Sequence, residues 1–521
     1  MSESSINTLI PLWVIIIPII AGLAIIFIGA ISNGLVSQYG KSAMTENNQK
    51  SARLLPAVVP LRNLFLLGGT ILPLVLILKL YPLVRGGGIV LCSLAVFPPL
   101  GLNFRLDMLS IFMGLLFGFM GVIIAVYSID YMRDDPLPGR FFGFLMFVFA
   151  GCMGVVLAGD LFSLFLFFEF MSIMFFILVA HHATPEAVAA GMKFLFMTII
   201  AGVSLFMAVA IIYMECGSLT FGSAGLVTGY SFLSLLAFIG FMIAFGTKAA
   251  MFPLHFWQPD AYTYAPLPAA LLSSTLMLKT GVYGLARVFY NIFGVDFWGT
   301  VSWDSVIIVL AAFTILFGST IAIAQDDLIR RLAYSGIAQL GYIILGIAIL
   351  TPDALIGATF HIMTHAFMKG CLFLCAGSII SQTGIRSIKQ MKGIGYKLPV
   401  TMLAFAVAGL TAVGVPPLNL FIVKWHLSLG ALEIGQPILI IVLLISSLLN
   451  AAYYLPIAYH AFLGREESTT MPREFSVKNF REPRAAMLVP SVTLAVGCLV
   501  FGLFIHNWPL EMVRSVIATL Y

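Results

Sequence analysis

Charge is what this chain has least of. Asp, Glu, Lys and Arg make up 9% of its residues, 22 acidic and 27 basic among 521, while 61% are hydrophobic. Mean hydropathy is +1.06. No water-facing surface of this size can be built from so few charges, which excludes a soluble multidomain enzyme. The net charge of +5 comes from basic residues in loops and does not indicate nucleic-acid binding. Cysteine is scarce as well. The six are scattered, with no iron–sulfur spacing, and no glycine-rich dinucleotide fingerprint sits on a strand–helix unit. Cys371 and Cys375 lie one helical turn apart in an apolar segment and read as packing rather than as a disulfide. The first residues, MSESSINTL, carry no basic segment, so the apolar run after them reads as a retained span and not a cleaved signal.

What the chain does have is long apolar runs. A membrane-crossing helix takes about 20 such residues. Fourteen runs are expected to cross: 9–31, 63–83, 107–129, 141–159, 161–181, 191–214, 231–254, 266–290, 303–324, 333–350, 356–381, 399–427, 436–462 and 485–505. Runs of this kind, not alternating residues, predict an all-α polytopic membrane protein rather than a barrel. The chain is one membrane domain over 1–521. Its N-terminal helices fall in 1–140, helices four to eight in 141–290, helices nine to thirteen in 303–463, and the last helix and tail in 485–521.

Placing the N-terminus outside puts most loop arginines and lysines inside, Arg53, Arg133, Arg140, Arg331, Lys389 and Arg484 among them. Little more than Arg85, Arg105, Arg287 and Arg514 remains outside. That asymmetry follows the positive-inside rule and puts both termini outside, in a prokaryotic cytoplasmic membrane. A long polar loop is expected from about Asn33 to Pro60. Another, REESTTMPREFSVKNFREPR from Arg465, reads as a solvated loop or as a dock for a soluble partner. The stretch GGGIVLCSLAVFPPLGLNFRLD from Gly86, broken by Pro98 and Pro99, reads as an outside hairpin.

Two spans are interrupted. The seventh meets Pro253 soon after Lys248, and the twelfth contains Gly414, Pro416 and Pro417 before Lys424. Proline removes a donor and frees a carbonyl, and such breaks at membrane depth occur where backbone lines a cavity. The breaks are five spans apart, the arrangement that two inverted five-helix units would produce.

The charges inside spans are few. They are Glu169, Lys248, Lys279, Lys369 with His361 and His365, and Lys424. A charge at the bilayer centre costs about 2.5–3.5 kcal/mol on insertion scales, so each is a functional candidate. His361, His365 and Lys369 are spaced by four, and each step turns only about 40° around a helix, so they share one face. Histidine exchanges protons near neutral pH. No Glu follows the first histidine and no third ligand is evident, which argues against zinc. Glu169 and Lys248 are expected to pair, either as a switchable proton carrier or as a static ion pair that fixes packing. Lys279 continues a relay or snorkels to an interface, and the same two readings hold for Lys424. Asp160, Lys193, His255 and Asp260, near span ends, read as caps or loop anchors. Asp326 and Asp327, with Arg330 and Arg331, read as a surface-paired loop.

Four segments occur in a distinctive order: LAGDLFSLFLFFEFMS, KAAMFPLHFWQPDAYTYAPLPAALLSSTLMLKTGVYGLAR, HIMTHAFMKGCLFLCAG and VPPLNLFIVKW. They resemble the signatures of the antiporter-like proton-channel subunits, over about residues 105–465. That family includes large membrane subunits of respiratory complex I, of energy-converting group 4 hydrogenases and formate hydrogenlyases, and of Mrp-type Na⁺/H⁺ antiporters. The resemblance implies fourteen helices, two inverted five-helix half-channels and a mid-plane row of buried charges. It assigns Glu169, Lys248, Lys279, His361, His365, Lys369 and Lys424 to that row. It further implies a multi-subunit complex of membrane and peripheral subunits that moves protons or Na⁺. This chain would hold no redox cofactor, and iron–sulfur clusters and a nickel–iron site would belong to partner subunits. An Mrp-type antiporter subunit is the alternative, and a non-conducting structural anchor is a third reading. PPLNLFIVKWHLSLGALE and SLLNAAYYLPIAYHAFLG look closest to the Mrp-like type, and the short tail after the last span is similar to the compact members. Leu420 stands where many relatives have glycine, which implies a stiffer break or narrower access to Lys424.

Overall fold

The computed structural model of the chain describes residues 5–39, 48–97, 100–222, 225–298, 301–463, 480–504 and 508–520. Its helices, numbered in chain order, begin with α1 (Ile10–Tyr39), α2 (Asn48–Arg85), α3 (Met108–Tyr131), α4 (Pro138–Leu157), α5 (Leu161–Val179) and α6 (Pro185–Cys216). Then come α7 (Phe232–Lys248), α8 (Trp257–Tyr264) and α9, the unbroken helical run 267–293. The second half has α10 (Trp303–Ala324), α11 (Leu328–Ala348), α12 (Pro352–Thr383), α13 (Pro399–Val413), α14 (Asn419–Glu433), α15 (Ile438–Leu463), α16 (Ala485–Leu503) and α17 (Trp508–Leu520).

Among the described residues, eleven helices are long and apolar enough to cross a membrane: α1–α6, α10–α12, α15 and α16. The three other expected runs are irregular. Run 231–254 becomes α7, a stretch of turns and α8. Run 266–290 becomes α9, in which two π turns, Ser273–Met277 and Val288–Phe293, flank Leu278–Arg287. Run 399–427 becomes α13 and α14. Pro253 and the Pro416–Pro417 pair lie in the two gaps, and Gly414 ends α13 with φ +87°.

Two expectations are corrected. Helix occupies most of the loop expected over 33–60, since α1 runs to Tyr39 and α2 starts at Asn48. The tail forms a helix, α17, whose Leu510, Val513, Val516, Ile517 and Leu520 are buried against the bundle. The expected hairpin is present as β2 (Ile89–Phe97) and β3 (Leu100–Leu106), antiparallel with Val90 opposite Leu106. The unexpected strand β1 (Ser5–Asn7) adds to β2 in parallel. The Arg465 loop falls largely outside the described residues.

Short polar side chains start the helices. Asp107, Asp160, Thr184, Asp327 and Thr351 accept the free N–H groups of α3, α5, α6, α11 and α12, each cap contributing about 1 kcal/mol. Asp260 on α8 is paired with Lys193 at 2.7 Å and Arg330 at 3.1 Å. Asp326 and Asp327 differ from expectation. Asp327 meets Arg386 at 2.9 Å, and Asp326 accepts the Ser387 hydroxyl at 2.6 Å, so loop clasps loop. Arg331 donates instead to the carbonyls of Gln325 and Tyr453.

The core sits around α12. The apolar stretch of this helix is wholly buried, whereas those of α1, α2 and α15 are one-third buried. Helices α3, α9, α11, α13, α14, α16 and α17 all touch it. The gap between α13 and α14 is braced from outside by α16. A Cβ on Gly502 would lie 2.1 Å from the Pro417 carbonyl oxygen and 2.8 Å from Asn419 N.

That contact is with backbone, which cannot swing aside. Gly502→Ala is therefore expected to cost about 1–3 kcal/mol and to lower the thermal midpoint of the purified protein. Gly68→Ala, at a site with open space, should leave it unchanged.

A second expectation concerns the turn after α5. His181 Nε2 lies 3.0 Å from Asp135 Oδ1, with both side chains buried. Burial pushes the imidazole below its ordinary value, and Asp135 opposes this. The folded protein thus holds His181 neutral, while the unfolded chain takes up a proton below about pH 6.5. This contribution to stability is complete above that value and is lost as pH falls through the lower folded value. Thermal midpoints from pH 7.5 to 5 should fall more steeply for the wild type than for His181→Gln. Parallel curves would refute this.

Candidate charge-transfer line

Glu169 lies on α5, part-exposed, with its carboxylate against α6. A Cβ on Gly202 would be 2.4 Å from Glu169 Oε1. That oxygen is buried and has no hydrogen-bond partner. Lys248 is the last residue of α7 and is 1% exposed. The expected Glu169–Lys248 pair is not a direct contact. Lys248 Nζ donates to Ser172 Oγ at 2.5 Å, and its ammonium lies over the Phe168 ring at 4.7 Å. The two charges still act on each other through space. Ser172 is three residues after Glu169, on the same face of α5, so it stands where the direct contact was expected.

Helix α9 crosses the end of α7 at Gly281, where a Cβ would lie 2.6 Å from Ala249 N. This brings Lys279, fully buried, into the same region. Lys279 donates to the carbonyl of Ser274, within the first π turn. Wide turns of this type loosen the regular ladder and are frequent at functional sites. The same Nζ is 2.5 Å from His365 Nδ1.

His365 and His361 follow each other with ring centroids 5.8 Å apart. His361 Nε2 donates to the Gln339 carbonyl at 3.1 Å, which directs its Nδ1 elsewhere, and Nδ1 is buried without a partner. The His361 ring meets Tyr342 edge-on, with centroids 5.8 Å apart. Lys424 Nζ is 5.6 Å from the centroid of the same Tyr342 ring. Lys424 donates to the carbonyl of Val413, the last residue of α13, at 2.7 Å, and to Ser447 Oγ at 2.6 Å. It is thus a cation at a helix C-terminus, the end whose dipole favours it.

Lys369 departs from the expected stripe. It donates to Leu332 O at 3.0 Å, to Tyr454 OH at 3.0 Å and to Ser335 Oγ. It therefore faces α11 and α15 and hangs off the line from Lys279 to Lys424 as a branch. From His361 to Lys369 the helix turns about 80°, enough to aim the three side chains at different neighbours. Leu420 is fully buried in the first turn of α14.

Several participants carry no charge: Ser172, Ser335, Gln339, Tyr342, Ser447 and Tyr454. A signal existed for three of them, since Ser335, Gln339 and Tyr342 form a polar ridge at steps of four and three along α11. Arg287, placed among the outer-side basic residues, has a buried side chain. Arg287 is 1% exposed and grips Asp107 with both terminal nitrogens, at 2.6 and 2.8 Å. Tyr283, Ser110 and Asn291 complete its shell, so every donor is used. This clamp ties the start of α3 to α9 and is separate from the line.

Residues 158–450 match the family described as "NADH:quinone oxidoreductase/Mrp antiporter, TM". Residues 99–142 match "NADH-Ubiquinone oxidoreductase (complex I), chain 5 N-terminus". The chain is 37% identical to NADH-quinone oxidoreductase subunit N of Desulforudis audaxviator over 421 residues, 78% of this chain and 83% of that one. It is 31% identical to a Na(+)/H(+) antiporter subunit of Alkalihalophilus pseudofirmus over 402 residues, 76% and 80% of the two chains. The fold matches a chain of the membrane-bound sulfane sulfur reductase, an archaeal respiratory membrane complex, with TM-score 0.84 over 98% of each chain at 23% identity. This chain thus belongs to the NADH:quinone oxidoreductase/Mrp antiporter transmembrane family.

Proposed function

We propose that this protein is the proton-translocating subunit of a multi-subunit, redox-driven membrane complex. The observation that carries the reading is the file of buried Lys248, Lys279, His365 and His361 and half-buried Lys424, with Glu169 at one end and Lys369 as a branch. Lys248 reaches Ser172, Lys279 meets His365 directly, His361 follows it, and Lys424 reaches Val413 O and Ser447. Unpartnered buried atoms recur along the file, on Glu169, His361, His365 and Tyr342. A buried polar atom left unpaired costs about 1–3 kcal/mol, and water is the partner that fits such sites.

The chemistry follows from the geometry. Lys248 held by the Ser172 hydroxyl exchanges that contact for Glu169 when the carboxylate swings away from Gly202. A proton then passes through Lys279 and the histidines to Lys424. Moving one charge across 100 mV takes about 2.3 kcal/mol, and breaking one buried charge contact is large enough to gate it (about 3–5 kcal/mol). In this reading the three irregular runs count as spans, giving fourteen crossings in two inverted halves. Both termini lie outside a prokaryotic cytoplasmic membrane. Partner subunits hold the redox centres, iron–sulfur clusters and a nickel–iron site among them. The likeness to an oxidoreductase subunit N supports this choice. The second reading, a Na⁺/H⁺ antiporter subunit without redox partners, is supported by the likeness to the Alkalihalophilus antiporter chain.

The test is translocation by the intact complex in sealed vesicles. Lys248→Ala is expected to reduce acidification by about 10²-fold or more with the complex still assembled, and Ser172→Ala to reduce it less. Unchanged acidification by Lys248→Ala would leave the non-conducting anchor as the surviving reading. Acidification driven by substrate oxidation favours the redox complex, and acidification driven only by an imposed Na⁺ gradient favours the antiporter.

A further inference from the structure

Between His361 and Lys424 the file has no direct contact. His361 and Lys424 both lie against the Tyr342 ring, 5.8 Å from it as measured between ring centroids and 5.6 Å as measured from Nζ. Both neighbours are already committed on their other sides, His361 to the Gln339 carbonyl and Lys424 to Val413 O and Ser447. The Tyr342 side chain is fully buried, and its hydroxyl has no hydrogen-bond partner. Ser446 and Asn450 flank that hydroxyl but are engaged elsewhere. Ser446 is 3.0 Å from Ser319 Oγ, while Asn450 donates to Ala412 O and accepts from Tyr453. The buried phenol hydroxyl, without a hydrogen bond of its own, can take a mobile partner.

We propose that Tyr342 is the relay group that carries a proton between His361 and Lys424. The inference rests on the translocation reading above. A phenol both donates and accepts. Contacts longer than about 3.5 Å take a bridging water, so one water is needed on each side. In the step, protonated His361 gives its Nδ1 proton to the first water, and that water gives a proton to the phenol oxygen. The phenol gives its own proton to the second water, which protonates the Lys424 amine. One O–H bond forms at Tyr342 as one breaks, so the ring carries no net charge before or after. His361 ends neutral and Lys424 ends as an ammonium. Rotation of the hydroxyl then resets the group. The ring itself also contributes, because it lies within cation–π distance of the Lys424 ammonium.

Tyr342→Phe separates the hydroxyl from the ring, since it removes one oxygen and keeps the packing. In vesicles holding the intact complex, Tyr342→Phe is expected to lower translocation by about 10²-fold at unchanged complex content. The solvent deuterium isotope effect on translocation should rise as the crossing becomes rate-limiting. Tyr342→His, which keeps a proton-exchanging ring, should restore part of the rate. Wild-type translocation and isotope effect in Tyr342→Phe, with Lys248→Ala inactive in the same preparation, would overturn the relay and leave the translocation reading standing. Unimpaired Lys248→Ala would remove that reading and the relay with it. If Tyr342→Phe does not accumulate, 2,3-difluorotyrosine at position 342 keeps the hydroxyl and makes it more acidic. A changed translocation rate then supports the relay, and an unchanged one overturns it.

Discussion

The structure depends on how a lysine is kept inside a membrane protein without a carboxylate beside it. Four lysines lie along the file and its branch, three buried and Lys424 half-buried, and each is held by oxygen atoms that carry no charge. Lys248 has a serine hydroxyl, and Lys279 a carbonyl within a π turn. Lys369 has a carbonyl and two hydroxyls. Lys424 has the carbonyl that ends α13 and a serine. An ammonium beside neutral oxygens escapes the full cost of an isolated buried ion. It also keeps donors when it loses a proton, because an amine still has N–H groups. A tight ion pair would hold the charge in place, whereas this arrangement lets it change.

The irregular backbone is what supplies two of those oxygens. A regular helix uses its carbonyls internally, so it offers a lysine less than a broken one does. The break after Val413 and the π turn at Ser273–Met277 each free a carbonyl where a lysine reaches it. The breaks must then be held by something other than their own ladder. For the second break that support is α16, with Gly502 pressed against Pro417. Around both breaks, the wholly buried α12 provides the fixed wall on which His361, His365 and Lys369 are mounted.

The buried arginine shows the contrasting arrangement. Arg287 has a carboxylate, Asp107, in a two-pronged contact, and every remaining donor is satisfied. Such a pair is costly to break and has nothing to exchange. One membrane interior thus contains both kinds of buried charge, fixed where it is paired and exchangeable where it is solvated by neutral oxygens.

Membrane class, most helix positions, both breaks and every charged member of the file were legible in the sequence, because each reports a local cost. Apolar runs, prolines and charges in oil are visible residue by residue. The reading failed where the answer lay in the reach of a side chain or the aim of a helix face. It paired Glu169 with Lys248, but the long lysine stem ends on Ser172. It put Lys369 in the file, but the turn of α12 sends it to α11 and α15. It did not foresee that Asp107, distant in the chain, grips Arg287 in a buried pair. What the residues alone determined was that ionisable groups must lie in the membrane near two broken helices. Which of them touch, and through which serines and tyrosines, was decided only when helices distant in sequence packed together. An uncharged hydroxyl costs little to bury and so leaves no mark in the sequence until a partner is brought to it.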